Sequence, residues 1–166
     1  MLEKGISALP ILNADKTIKT IVFWADDAIE LKENNSVKLP VVIMAGGKGT
    51  RLYPYTKILP KPLIPIGDIP IIERIIQQFI KAGCKYFYVI VNYKKDMIKA
   101  YFNEIKNKKY NITFIDENIP IGTGGGLKLL KDYLHTDFIL TNCDILIKAD
   151  FGEIINQHFN KKMLLQ

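Results

Sequence analysis

From residue 40 onward the sequence predicts an α/β fold, a mostly parallel sheet with helices on both faces, in three layers. Three observations carry this expectation. Val41–Ala45 is an unbroken apolar run, as a strand buried on both faces requires. Glycines follow it at once, at Gly46, Gly47 and Gly49. Apolar stripes with helical spacing then alternate with short β-branched and aromatic runs.

Each element has its own signal. Residues 1–32 hold two extended patterns, around Ala8–Leu12 and Thr20–Trp24. Asn13-Ala14-Asp15-Lys16 supplies turn chemistry between them. The polar stretch 33–39 reads as a linker. Ile71, Ile72, Ile75, Ile76, Phe79 and Ile80 fall on one helical stripe, so Ile71–Lys81 is a helix, with Gly83 at its C-cap. Tyr86–Val91 is a strand. Met97, Ile98, Tyr101, Phe102 and Ile105 repeat the stripe over Lys95–Ile105. Ile112–Ile115 is a short strand, Leu127–Leu134 a helix after a glycine run, and Phe138–Thr141 a further buried strand. Asp150 is suited to cap a helix through Phe159. Open sheets of this kind bind ligands at the carboxyl ends of their strands. The loops after Ala45, Val91, Ile115 and Thr141 are therefore the ones that matter.

Composition narrows the function classes. With 48% hydrophobic and 24% charged residues, the chain can fill a core and is not a disordered segment. No apolar run approaches the ~18–20 residues of a membrane helix. The N-terminus lacks the apolar core of a secretory signal. Cys84 and Cys143 form neither a disulfide framework nor a metal-site spacing, which fits a reducing, cytoplasmic setting. The net charge is +6, from 23 Lys+Arg against 17 Asp+Glu. Much of the excess lies in Lys94–Lys109 and at Lys161–Lys162, and reads as solvated lysine faces. No aromatic–basic platform points to a nucleic-acid polymer, and nothing points to a membrane partner.

The loop after the first strand carries the chemistry. Three glycines in four positions let backbone amides approach an anion closely. It is not a Walker loop, because Lys48 is followed by Gly49 rather than Ser or Thr. It is not the dinucleotide fingerprint either, because Leu52 stands where the last glycine belongs. Pro54, Pro60, Pro62 and Pro65 argue against an early helix, so the segment is expected to run extended and rigid for about twenty residues. It holds Arg51, Lys57 and Lys61 among the prolines, with Lys61 between Pro60 and Pro62. Fixed cations beside a glycine cradle suit a transferring phosphoryl group. Asp144 follows the strand Phe138–Thr141 at the carboxyl edge of the sheet, where a carboxylate can hold Mg²⁺ against phosphate oxygens. Cys143 beside it reads as packing.

The run from Met44 to Gly67, with its glycine loop, Arg51 and Pro60-Lys61-Pro62, closely resembles the signature of the sugar-1-phosphate nucleotidyltransferases. Val91-Asn92-Tyr93, Gly122-Thr123-Gly124-Gly125-Gly126 and Asn142-Cys143-Asp144 extend the resemblance over residues 40 to about 160. It implies a Rossmann-like nucleotidyltransferase fold. It also implies transfer of a nucleoside monophosphate from a nucleoside triphosphate to a sugar 1-phosphate, releasing pyrophosphate and supplying surface-glycan precursors. Arg51 and Lys61 would be the catalytic cations, one bracing the leaving pyrophosphate and the other neutralising charge near the α-phosphate. Ala45, Gly46, Gly47, Gly49, Thr50, Glu117, Gly122 and Thr123 would bind the nucleotide. Asp144 would hold the Mg²⁺ cofactor, although Cys143 stands where the family usually has glycine. Glu117 stands where thymine- or uracil-selecting relatives commonly have glutamine. An ionised carboxylate only accepts hydrogen bonds, and guanine offers two adjacent donors, so GTP is the expected donor.

Gly5-Ile-Ser-Ala-Leu-Pro-Ile-Leu and Thr20-Ile-Val resemble the tail of a CBS domain, as found ahead of some sugar-phosphate guanylyltransferases. The expected division is a CBS-like remnant and linker over 1–36 and the N-terminal nucleotide-binding part of a nucleotidyltransferase over 37–166. Both ends read as cut. The alternative to a working enzyme is then an inactive nucleotide-binding or regulatory fragment. An unpaired sheet edge and uncovered apolar faces predict self-association into a homo-oligomer.

Overall fold

A computed structural model describes residues 8–23, 39–119, 122, 124–147 and 149–161. Gly5, Ile6, Ser7, Trp24, the linker up to residue 38, Thr123 and Lys162 lie outside them. The chain divides into two compact units, Met1–Asn34 and Asn35–Gln166.

In the first unit, β1 (Ala8–Leu12) pairs antiparallel with β2 (Ile18–Phe23), with Ala8 opposite Phe23. The expected turn joins them. Asp15 accepts hydrogen bonds from the Thr17 amide (3.0 Å) and hydroxyl (2.6 Å), and Lys16 takes a positive φ of 66°. Strand β2 starts two residues before Thr20, and a register irregularity at Ile11/Leu12 leaves Lys19 without an opposite residue on β1.

In the second unit the elements run β3 (Val41–Met44), α1 (Tyr55–Ile58), β4 (Pro65–Ile66), β5 (Ile69–Pro70), α2 (Ile71–Lys81), β6 (Tyr86–Val91), α3 (Lys95–Glu104), β7 (Asn111–Asp116), β8 (Ile139–Asn142) and α4 (Phe151–Lys161). Strands β4 and β5 make a two-residue hairpin of their own. The main sheet has the order β7-β6-β3-β8 and is parallel throughout. From β3 the chain steps outward to β6 and β7, then returns to the opposite side of β3 with β8. That reversal places the topological switch point between β3 and β8, where open α/β sheets bind ligands.

The two faces of the sheet are covered unequally. Val41, Ile43, Phe87, Val89 and Val91 face one side and pack against Ile72, Ile75, Ile76 and Phe79 of α2 and Ile98 and Phe102 of α3. Helix α4 joins this layer through Phe151, whose ring lies 4.5 Å from that of Phe79. Val42, Ile90 and Ile115 face the other side, where Leu130 is their buried partner. The expected helix Leu127–Leu134 is instead a 3-10 helix, Gly125–Leu130, followed by a turn. Its entry at Gly124 has φ +83°, and Gly126 lies so close to β6 that a Cβ there would come within 2.9 Å of Ile90 Cγ2. Glycines hold no helical bias of their own, and the segment is closed by i→i+3 bonds from Leu127 to Gly124 (3.1 Å) and from Lys131 to Lys128 (3.5 Å). Among the described residues the α-helices that pack on the sheet thus lie on one face, not both.

Strand β8 also departs from expectation. Among the described residues it is bonded to β3 alone, and Leu140 on the thinly covered face is 47% exposed, so within them β8 is an edge strand rather than a buried one. Other elements agree with the sequence closely. Helix α2 ends in a Schellman motif, with Gly83 at φ +94°, its amide on Ile80 O (2.9 Å) and the Cys84 amide on Phe79 O (3.0 Å). Asp150 caps α4 by accepting from the Glu153 amide at 3.1 Å. The lysine-rich stretch is not a plain solvated face. Lys95 and Lys99 reach the Asp116 carboxylate at 2.9 and 2.6 Å, and Lys108 donates to Phe102 O at 2.6 Å.

Candidate active site

Hydrogen bonds carry the sheet pairing past the strand ends and bring four loops to one edge. The Ala45 amide donates to Ile90 O (2.8 Å) and the Glu117 amide to Val91 O (2.8 Å). The Cys143 amide donates to Met44 O (3.2 Å) and the Tyr93 amide to Gly46 O (3.5 Å). The loops after β3, β6, β7 and β8 therefore share the carboxyl edge, beside the switch point.

The loop after β3 is not extended. It folds into a 3-10 turn at Thr50–Leu52, then α1, then a second 3-10 turn at Lys61–Leu63. The prolines permit this because they sit at helix starts, where the missing amide has no intrahelical partner to lose. Pro54 is the N-cap of α1, and Pro62 stands in the first turn of the second 3-10 segment. The Thr56 hydroxyl donates to Gly49 O at 3.1 Å and folds α1 back onto the glycine loop.

Gly49 is the tightest point. Its φ is +65°, and a Cβ there would lie 2.9 Å from both Lys61 Cβ and Thr56 Cγ2. Glycine is thus required for the loop to lie flat on Lys61. The Lys61 ammonium in turn pairs with the Asp144 carboxylate just beyond β8. Lys61 is 24% exposed and Asp144 37%, so the pair faces solvent at the sheet edge. Cys143 is buried beneath it. Burial pushes its thiol up to about 11, with Lys61 pulling down and Asp144 pushing up by smaller amounts. It belongs to the core cluster.

Glu117 is the second focus. It is 7% exposed, and its carboxylate lies between two glycine backbones. A Cβ on Gly46 would meet Oε2 at 3.0 Å, and one on Gly126 would meet Oε1 at 3.4 Å. Asn92 fixes the backbone here, donating from Nδ2 to the Glu117 carbonyl.

Of the residues expected from sequence, Gly49, Lys61 and Asp144 form one connected group, and Ala45, Gly46 and Glu117 another along the same edge. Gly47 is exposed, and a Cβ added there would meet nothing within 4 Å. Thr50 and Arg51 are exposed on the first 3-10 turn, and no hydrogen bond or ion pair among the described residues fixes Arg51. Gly122 takes φ +87° and is likewise exposed; Thr123 lies outside the described residues. Sequence reasoning gave no role to Thr56, Asn92, Tyr93 or Lys94. Asn92 and Tyr93 carry a signal, since they directly follow β6 at the ligand edge; Thr56 and Lys94 carry none. Among the described residues no group of three or more His, Cys, Asp or Glu could hold a metal.

The family model described as nucleotidyl transferase matches residues 40–165. The chain belongs to the nucleotidyl transferase family. Bifunctional protein GlmU of Methanococcus aeolicus is 39% identical over 118 residues, which span 71% of this chain and 28% of that protein. A mannose-1-phosphate guanyltransferase of Schizosaccharomyces pombe is 36% identical over 124 residues, 72% of this chain and 34% of that one. Among solved structures, HddC from Yersinia pseudotuberculosis complexed with GMP-PN superposes with a TM-score of 0.66 at 31% identity, over 74% of this chain and 55% of that one. The chain thus spans about a third of the length of the curated relatives. The part of this family member that superposes on its solved relative is the α/β unit, built here on a four-stranded parallel sheet.

Proposed function

We propose that the second unit binds the triphosphate of a nucleoside triphosphate, GTP by preference, and that the complete enzyme transfers the nucleoside monophosphate to a sugar 1-phosphate. The products are a nucleotide sugar, a precursor for surface glycans, and pyrophosphate. The observation that carries this reading is the Gly49–Lys61–Asp144 group at the switch point: a glycine loop seated on a lysine that faces a carboxylate.

In this reading the amides of Gly46, Gly47 and Gly49 cradle the phosphates, and the exposed Arg51 is free to close on the leaving pyrophosphate. Lys61 neutralises charge that develops near the α-phosphate during in-line displacement. A lone Asp144 fits magnesium only as magnesium is usually held, by one or two carboxylates together with substrate phosphates. Bound there, the ion would supply charge neutralisation on the phosphate oxygens. The remaining chemistry is positioning by this chain's own residues. A reducing, cytoplasmic setting belongs to the same proposal, supported by two free buried cysteines.

The base preference rests on Glu117. A nearly buried carboxylate beside Gly46 and Gly126 offers acceptors and no donors, the complement of the guanine N1–H and N2–H edge. Relatives named as guanyltransferases, and a solved relative holding GMP-PN, support the same base. Parallel binding titrations with GTP, UTP, dTTP, CTP and ATP test it, along with a Glu117→Gln variant. GTP should bind tightest, and Glu117→Gln should narrow its lead over UTP. Tighter UTP or dTTP binding by the unaltered chain would refute the base assignment.

A second reading, nucleotide binding without turnover by these 166 residues alone, is favoured by the 55% share of the solved relative that they cover. Pyrophosphate release from GTP, Mg²⁺ and sugar 1-phosphates separates the two: release supports the enzyme, and binding without release supports the fragment.

A further inference from the structure

We infer that Lys94 is a positioning residue for the phosphate-binding loop, acting through α1; the inference rests on the nucleotide-binding reading above. Lys94 follows β6 by three residues and stands at the N-cap of α3 with φ 50°, a left-handed conformation that lysine rarely adopts. That backbone turn sends its side chain away from the lysine-rich helix and across to the glycine-loop segment. Its ammonium donates to Lys57 O at 2.6 Å and Ile58 O at 2.7 Å, the carbonyls that close α1. Carbonyls at a helix end have no intrahelical donor, and a cation there answers them.

The neighbouring residue completes the clamp. The Tyr93 hydroxyl donates to Thr56 O at 3.3 Å, its amide donates to Gly46 O at 3.5 Å, and its ring lies 5.5 Å from the Lys94 ammonium. Three successive carbonyls of α1 are therefore held from the end of β6. Thr56 passes the constraint on through its hydroxyl to Gly49 O, and Gly49 abuts Lys61. Neither Lys94 nor Tyr93 needs to touch the nucleotide. Together they fix the α1 turn that sets the spacing between the glycine amides and the Lys61 ammonium.

This role affects the β- and γ-phosphates far more than the base, and that difference is the test. Isothermal titration of the 166-residue chain compares GTP with GMP, which lacks those phosphates. Lys94→Met should weaken GTP binding about tenfold, the loss expected for charge-assisted hydrogen bonds, with GMP changing by less than about twofold. Lys94→Arg, which keeps the charge, should recover part of the GTP affinity. Tyr93→Phe removes one hydroxyl, keeps the ring, and should shift GTP in the same direction by about threefold; it carries the test if Lys94→Met does not fold. Equal weakening of GTP and GMP, or unchanged GTP binding in both variants, overturns the inference and leaves the nucleotide-binding reading standing. No GTP binding by the unaltered chain overturns both.

Discussion

Replacing Gly49 with alanine probes the packing that seats the glycine loop on Lys61. At φ +65° the new residue would occupy the left-handed region, which costs a non-glycine residue about 1–2 kcal/mol. Its Cβ would also lie 2.9 Å from Lys61 Cβ and from Thr56 Cγ2. Neither neighbour can swing aside easily. The Lys61 contact is at the side-chain root, and Thr56 is buried with its hydroxyl on Gly49 O. Overpacking of this kind adds about 1–3 kcal/mol, so the expected loss is about 2–5 kcal/mol. Gly47 is the internal control, with nothing within 4 Å of a new Cβ and no positive φ. Gly47→Ala should change stability by less than about 0.5 kcal/mol. Urea unfolding followed by far-ultraviolet circular dichroism measures both. A Gly49→Ala loss below about 1 kcal/mol, or one no larger than that of Gly47→Ala, would refute the packing argument.

Two further outcomes follow from the ion pairs. Lys99 and then Lys95 hold the Asp116 carboxyl below its ordinary value of 3.8 in the folded state. A depressed folded value makes this stabilisation complete above the ordinary value and removes it as pH falls through the folded one. The stability gap between the unaltered chain and Asp116→Asn should therefore be present near neutral pH and shrink as pH falls below the ordinary value, read from urea midpoints; a gap that does not change with pH contradicts it. Lys61 holds a cation against Asp144 before any metal arrives. With GTP bound, Asp144→Asn should weaken Mn²⁺ binding by about fivefold, the scale of one partly exposed charge contact, as followed by electron paramagnetic resonance. Unchanged Mn²⁺ binding to the GTP complex would count against Asp144 as the metal carboxylate.

The fold is legible in the sequence where burial saturates composition. Val41–Met44 and Tyr86–Val91 are central strands, so nearly every residue is apolar. Helix α2 buries a full stripe and closes on a glycine that only one motif explains. Legibility fails where contact outranks pattern. Leu127 and Leu130 suit a helical stripe equally well in α or 3-10 form, and the close approach of Gly126 to Ile90 decides between them. Phe138–Thr141 is as apolar as a central strand, yet its exposure depends on what lies beside it in space. At the site, Lys61 and Asp144 are readable because each sits at a marked place, between prolines or at a strand end. Lys94 is not, because its partners lie 37 and 36 residues away and its neighbours in sequence are other lysines.

The glycine loop, Lys61 and Asp144 are proposed to form one triphosphate site at the carboxyl edge of the sheet. Amide chemical-shift mapping of the isotopically labelled chain, titrated with GTP and Mg²⁺, tests it most directly. The largest shifts should fall on Gly46, Gly47, Gly49, Lys61 and Asp144, with Glu117 following when the base is guanine. No shifts at saturating GTP, or shifts concentrated on the helical face of α2 and α3, would rule out a triphosphate site at this edge.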